Sequence, residues 1–186
     1  MAARETMRWH EVVLDLWFRE LDPKDWFTRS DATDALISAR CLSIHESLAR
    51  QMPPETRTDP RAALAAVVVL DQFPRNMFRG TPRAFATDSL ALGLARHAVA
   101  AGFDKASTKN ERLFLYLPFE HSEDVADQQQ SVALFAPLDD PELTRYAQAH
   151  KVIIDRFGRF PHRNAILGRT STPEELEFLR QPGSSF

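Results

Sequence analysis

The sequence predicts an all-α fold, an antiparallel array or bundle of roughly eight helices. Alanine and leucine together account for 44 of the 186 residues, whereas valine and isoleucine account for only 14. Unbranched side chains lose less conformational freedom in a helix than β-branched ones, so this composition favours helix. Twelve prolines separate the helical patterns, and no Gly/Ser-rich linker divides the sequence. We therefore expect one helical domain spanning residues 1–186.

The first half of the chain contains four predicted helices, at residues 9–18, 31–50, 59–70 and 88–101. In the second of these, Ile37 and Cys41 begin an apolar face at helical spacing. Pro60 suits the first turn of the third helix, and the stretch Ala62–Leu70 is apolar on all sides. We therefore place the third helix at the centre of the core and expect Pro74 and Gly80 to break it.

The second half contains four more predicted helices, at residues 110–117, 123–135, 141–157 and from 172 onward. Gly102 separates the first of them from the preceding helix. Pro141 and Pro173 lie in first turns, where the missing N–H of proline removes no helical hydrogen bond. Connections between all eight helices are short, which is typical of a helical bundle.

Charge and hydropathy exclude several classes of protein. The net charge of −3 argues against a nucleic-acid binder. The longest apolar run, Ala62–Leu70, is far shorter than the roughly 20 residues that cross a bilayer. The N-terminus has no apolar signal core, and the single cysteine, Cys41, cannot form an internal disulfide. We therefore expect a cytoplasmic protein that binds neither nucleic acid nor membrane.

Positive charge is concentrated in two segments of similar sequence. Residues 73–83 begin Phe-Pro-Arg-Asn and contain three arginines, whereas residues 156–169 include Phe-Pro-His-Arg-Asn and contain four. Neither segment contains an acidic residue, so the net charge divides into +7 here and −10 elsewhere. Arginine beside helix N-termini binds carboxylates and phosphates, although it also pairs with acidic side chains or packs on phenylalanine. The candidate ligand-binding residues are Asp71, Gln72, Arg75, Asn76, Arg79, Gln128, His162, Arg163, Asn164 and Arg169.

A histidine flanked by carboxylates marks a candidate catalytic segment, Glu120–Asp124. His121 in such surroundings can act as a general acid or base, oriented by Glu120 or Asp124. If this segment is helical from its start, His121 and Gln128 share a face with apolar residues. The alternative is a buried capping network without chemistry. The segment lacks the usual histidine spacing of metal sites, so we predict no metal and no cofactor.

Several strings resemble a bacterial family filed as domain of unknown function 924. They are Leu70–Asn76, Phe78–Gly80, Phe85–Asp88, Leu115–Glu123, residues 158–168 and the C-terminal Pro182–Phe186, with Asp15–Phe18 near the start. The resemblance covers almost the whole chain. It implies an all-helical fold similar to the tetratricopeptide-like superfamily, and it implies no activity.

Three functions are compatible with these patterns, and the patterns favour the first. The first is a binding module whose arginine- and histidine-lined pocket holds an anionic small molecule or an acidic peptide. The second is a small-molecule enzyme in which His121 is the acid or base and arginines hold an anionic substrate. The third is a structural scaffold in which the motifs only fix turns. We expect a pocket where the two arginine-rich segments meet Glu120–Asp124, and the sequence predicts no oligomeric state.

Overall fold

A computed structural model of the protein describes residues 7–185, which contain helices and no strand. Eight helices follow one another in this part of the chain. They are α1 (Trp9–Asp15), α2 (Asp31–Arg50), α3 (Pro60–Val67), α4 (Asp88–Ala100), α5 (Lys109–Glu120), α6 (Val125–Phe135), α7 (Pro141–Phe157) and α8 (Pro173–Phe178). The all-α prediction is thus confirmed. No helix in these residues is long and apolar enough to span a membrane.

Helices α1 and α3 are each followed directly by a π-helical turn. The turn after α1 is Leu16–Glu20, and the turn after α3 is Val68–Gln72, which an α-helical segment, Phe73–Met77, continues. The prediction that Pro74 breaks the third helix was therefore wrong. Pro74 lies in the first turn of the segment that follows the π-helical turn, where a missing N–H is tolerated.

Helix α5 also passes through a proline. The predicted end at Leu117 was wrong, because the helix continues across Pro118 to Glu120. Pro118 lies in the last turn, so only a short piece of helix follows it. Gln128 on α6 supports this end, since its Nε2 donates to the carbonyl oxygens of Glu120 and Ser122, both at 2.7 Å.

Helix α3 lies in the core, as its apolar pattern predicts. All nine residues of Ala62–Leu70 are at most 3% exposed. Helices α1, α4 and α5 pack around it, and α2 packs against the continuation Phe73–Met77. Helices α5, α6 and α7 then pack in chain order. The π-helical turn therefore brings its polar end, Asp71 and Gln72, into the interior beside the end of α5.

An aromatic cluster joins the first residues of the fold to the core helices. The ring of Trp17 contacts Trp26, Phe73 and Phe114 at centroid distances of 6.2, 5.4 and 5.3 Å. The indole Nε1 of Trp26 donates to the carbonyl oxygen of Trp17 at 2.8 Å, which ties the loop after α1 to the core. Phe27 lies at the edge of this cluster, 65% exposed, and stacks on Phe114.

Candidate functional site

A cleft of about 370 Å³ opens between the start of α4, the end of α5 and the loop after α7. Its polar lining side chains come from segments far apart in sequence, whereas its walls are apolar. The polar residues are Asp88, Ser89, His121, Ser122, Glu123 and Arg163, and the apolar ones are Pro82, Phe85, Ala86, Leu92, Pro118 and Leu167. This cleft adjoins the predicted meeting place of the arginine-rich segments and Glu120–Asp124.

Asp71 lies directly behind the cleft and is fully buried. Its carboxylate accepts hydrogen bonds from Gln72 Nε2 and from Nδ1 of His121, the latter at 2.8 Å. Nη1 of Arg75 lies 3.7 Å from the same carboxylate. Burial by itself would raise the pKa of Asp71, but His121 and Arg75 outweigh it and hold the pKa below its usual range. Asp71 is therefore an ionised carboxylate inside the protein.

His121 follows the last residue of α5 and lines the cleft. Burial, with a further contribution from Arg75, lowers its pKa, although Asp71 acts in the opposite direction. The imidazole is consequently neutral at neutral pH. Because an ionised carboxylate can only accept, Nδ1 carries the proton and Nε2 carries the lone pair. The pair His121–Asp71 thus has the arrangement of a general base with an orienting carboxylate.

The expectation that Glu120 or Asp124 orients His121 was wrong. Asp124 instead caps α6, where its Oδ1 accepts from the backbone N–H groups of Ala126 and Asp127 at 2.7 and 3.3 Å. Residues 121–124 form a turn, not the first turn of a helix, so the helical spacing of His121 and Gln128 does not apply. The carboxylate that contacts His121 is that of Asp71, which lies 50 positions earlier in the sequence. The sequence predicted Asp71 as a ligand-binding residue and not as the partner of His121.

Two of the predicted arginines converge on one carboxylate. Arg75 donates from Nη1 and Nη2 to the two oxygens of Asp88, at 2.8 and 3.0 Å. Nη1 of Arg163 lies 3.7 Å from Oδ2 of the same residue. The two similar segments therefore meet at Asp88, the first residue of α4, which was not among the candidate site residues.

The other candidates form supporting contacts around the cleft. Asn76 and Arg79 both donate to Asp34 of α2, and neither lines the cleft. Arg169 donates to both oxygens of Glu123 at 2.7 and 2.9 Å, and its Nε donates to Oδ1 of Asn164. These two residues lie behind Glu123 and fix its position.

Glu120, His150 and His162 are further buried polar groups that do not line the cleft. Oε1 of Glu120 lies 3.2 Å from Nδ1 of His150, which also donates to the carbonyl oxygen of Tyr146 at 2.9 Å. Burial, reinforced by Asp71, raises the pKa of Glu120 to about 8. Burial lowers the pKa of His150 to about 3 and that of His162 to about 4. At neutral pH these three groups are therefore uncharged.

Glu120 gives a testable dependence of stability on pH. Its folded pKa of about 8 exceeds the ordinary value of 4.5, so the folded protein holds a proton that the unfolded chain releases. The variant Glu120→Gln cannot release a proton. Between pH 5 and pH 8 the wild type should therefore lose free energy of unfolding relative to this variant. Urea unfolding at pH 5, 6.5 and 8 measures the free energy of unfolding of both proteins. The same difference between wild type and variant at all three pH values would contradict the raised pKa of Glu120.

No group of three or more His, Cys, Asp or Glu side chains within residues 7–185 is arranged to hold a metal ion. The chemistry available at the cleft from the side chains themselves is proton transfer at His121 and charge recognition at Arg163.

Comparison with known proteins gives a family and a fold. None of the curated proteins compared with the chain matches it. The solved structure of a protein of unknown function, ATU0120 from Agrobacterium tumefaciens, is 40% identical and superimposes with a TM-score of 0.87, covering 91% of this chain and 96% of that one. The family model described as "Bacterial protein of unknown function (DUF924)" matches residues 13–183. The chain therefore belongs to this bacterial family of unknown function.

Proposed function

We propose that the cleft is the active site of a small-molecule enzyme in which His121 acts as a general base. One observation carries this proposal. Nδ1 of His121 is bound to the buried carboxylate of Asp71, while the same imidazole lines the cleft. The proton is thereby held on the inner nitrogen, and the lone pair of Nε2 is available to a bound molecule.

The reaction would begin with removal of a proton by Nε2, either from the substrate or from a water molecule beside it. The imidazolium that forms would be stabilised by the charge of Asp71. Ser122 is unsuited to be a nucleophile activated by His121, because its hydroxyl donates to Asp127 at 2.6 Å. Direct proton removal or hydrolysis by water therefore fits the cleft better than a covalent intermediate.

A binding module would use the same cleft without turnover. The size of the cleft, about 370 Å³, favours a small molecule over an acidic peptide. A scaffold without a ligand would need no histidine at the cleft with its Nδ1 fixed by a buried carboxylate, which is why the pair His121–Asp71 favours an enzyme. The tetratricopeptide-like arrangement and the cytoplasmic location suggested by the sequence stay predictions.

The protonation of His121 tests the proposal without a substrate. Nitrogen-15 NMR of histidine-labelled protein at pH 7 should show a neutral ring with the proton on Nδ1. His97 of α4 is a control within the same chain, because its Nε2 faces the carbonyl oxygen of Arg57 at 2.9 Å and should carry the proton instead. A charged His121, or a proton on its Nε2, would remove the general base.

Turnover separates an enzyme from a binding module. Mixtures of small molecules are incubated with the protein in D₂O or in ¹⁸O-labelled water, and exchange or incorporation is followed by NMR and mass spectrometry. His121→Gln should abolish any such activity, whereas His97→Gln should preserve it. A molecule that binds in the cleft and is never altered would support the binding module.

A further inference from the structure

Arg163 is a buried cation that lacks a hydrogen-bond acceptor for its Nε–H within the described residues. Its residue is 7% exposed, and its guanidinium lies between the rings of Phe85 and Phe160, at 4.8 and 4.5 Å from their centroids. The enclosed Nε–H has no hydrogen-bond acceptor within residues 7–185. Asp88 is 3.7 Å from Nη1, too far for a hydrogen bond. An unsatisfied donor in such a position is costly, and the guanidinium that carries it lines the cleft, where an anion can reach it.

The carboxylates that line the cleft do not require Arg163. Asp88 is held by two hydrogen bonds from Arg75, and Glu123 by two from Arg169. Each acid that lines the cleft is therefore hydrogen-bonded to another guanidinium, although Arg75 is shared between Asp88 and the buried Asp71. Burial, together with repulsion by Arg75, lowers the pKa of Arg163 to about 10, which still leaves it charged at neutral pH. Arg163 is thus a cation at the cleft wall whose ion-pair contact, with Asp88 at 3.7 Å, is longer than a hydrogen bond.

The remaining wall of the cleft is apolar. Phe85, Leu92, Pro118 and Leu167 face the same space as Arg163 and His121. A ligand that satisfies all of these neighbours has one anionic group and a hydrocarbon or aromatic body. A doubly charged phosphate fits less well, because Asp88 and Glu123 also line the cleft and would repel it.

We propose that the cleft takes a small apolar carboxylic acid, whose carboxylate binds Arg163 and whose reacting part lies at His121. This inference rests on the proposed function, since it names the substrate class of the same site. A carboxylate accepts from a guanidinium in a planar, charge-assisted arrangement, and Arg suits this better than Lys. The stacked rings of Phe85 and Phe160 hold the guanidinium in place before the ligand arrives, which reduces the entropy lost on binding.

Benzoate and benzamide form a matched pair of probes, since they differ in charge and have nearly the same shape. Benzoate should raise the melting temperature of the wild type at millimolar concentration, and benzamide should not. Arg163→Gln should weaken benzoate binding by about 10- to 100-fold. Arg163→Lys should retain part of the affinity. Butanoate and butanamide repeat the comparison with an aliphatic body.

Arg83 supplies the matched control. Like Arg163, it packs on a phenylalanine, with its guanidinium 3.8 Å from the ring centroid of Phe78, and it makes a long ion pair of 3.9 Å with Glu46. Unlike Arg163, it is exposed and does not line the cleft. Arg83→Gln should leave benzoate binding unchanged. Circular dichroism without ligand confirms that each variant is folded. In the wild type, benzoate should also shift the ¹⁵N resonance of Arg163 Nε, a readout that does not depend on any variant folding.

Three results would overturn the proposal: no binding of either carboxylate to the wild type, equal binding of benzamide, or equal binding of inorganic phosphate. His121→Gln distinguishes failure of this inference from failure of the proposed function. This variant should still bind benzoate, because the carboxylate is held by Arg163. Benzoate binding to Arg163 together with a proton on Nε2 of His121 would leave the ligand class standing and would reject the general base.

Discussion

Replacement of Asp71 with alanine should lower the free energy of unfolding by about 3–5 kcal/mol. The carboxylate is fully buried and accepts from Gln72 and His121 while lying 3.7 Å from Arg75. Its loss leaves two donors without an acceptor and removes charge from beside the half-buried guanidinium of Arg75. Urea unfolding followed by circular dichroism at pH 7 measures the change.

Asp15→Ala is the matched control for this prediction. Asp15 pairs with Arg19 at 2.7 Å on the surface, and the Arg19 side chain is 76% exposed. Such a pair contributes about 0–1 kcal/mol. A similar loss for both variants would show that the buried position of Asp71 has no special energetic role. Asp71→Asn adds a separate readout: when its amide oxygen accepts from Gln72, its amide N–H donates to Nδ1 and should move the proton of His121 to Nε2.

Replacement of Trp17 with alanine should cost about 3–5 kcal/mol. The side chain is 1% exposed, and its edge-to-face contacts with Phe73 and Phe114 join α1 to the continuation of α3 and to α5. Truncation leaves a cavity that the surrounding rings can only partly fill. Thermal and urea unfolding should both report the loss.

Two further variants show whether burial causes the effect. Phe27 belongs to the same aromatic cluster but is 65% exposed, so Phe27→Ala should cost well under the value for Trp17→Ala. Trp17→Phe keeps much of the apolar volume and removes an indole N–H that lacks an acceptor within the described part of the chain. It should therefore be milder than Trp17→Ala. Equal losses for Phe27→Ala and Trp17→Ala would contradict the argument.

The helices were largely predictable because their determinants are local. The sequence placed the second helix at residues 31–50 and the seventh at 141–157, and the structure has α2 and α7 at those bounds. Cap residues and first-turn prolines act within one turn of chain, so a sequence window contains them. The errors at Pro74 and Pro118 arose because a π-helical turn and a supporting glutamine from another helix are not local signals.

The candidate site was predictable in its residue types and not in its contacts. His121 and Arg163 were recognisable from their motifs, but the partners Asp71 and Asp88 come from other elements. Such pairings depend on how helices pack, which no spacing within one helix encodes. An available signal was Asp71 itself, a charged residue at the end of a nine-residue apolar run. A carboxylate so placed must find partners in the interior.

The π-helical turn Val68–Gln72 sets the rotational phase of the central helix. A π turn accommodates one residue more than an α turn, and each residue rotates a helix by about 100°. Because Ala62–Leu70 is apolar on all sides, the core would accept the helix in more than one rotation. Only Asp71 and Gln72 require a particular direction. Deleting one residue within Val67–Val69 would remove a single buried valine from the core but turn Asp71 away from His121, so the geometry of the cleft depends on the number of residues between Pro60 and Asp71 as much as on their identity.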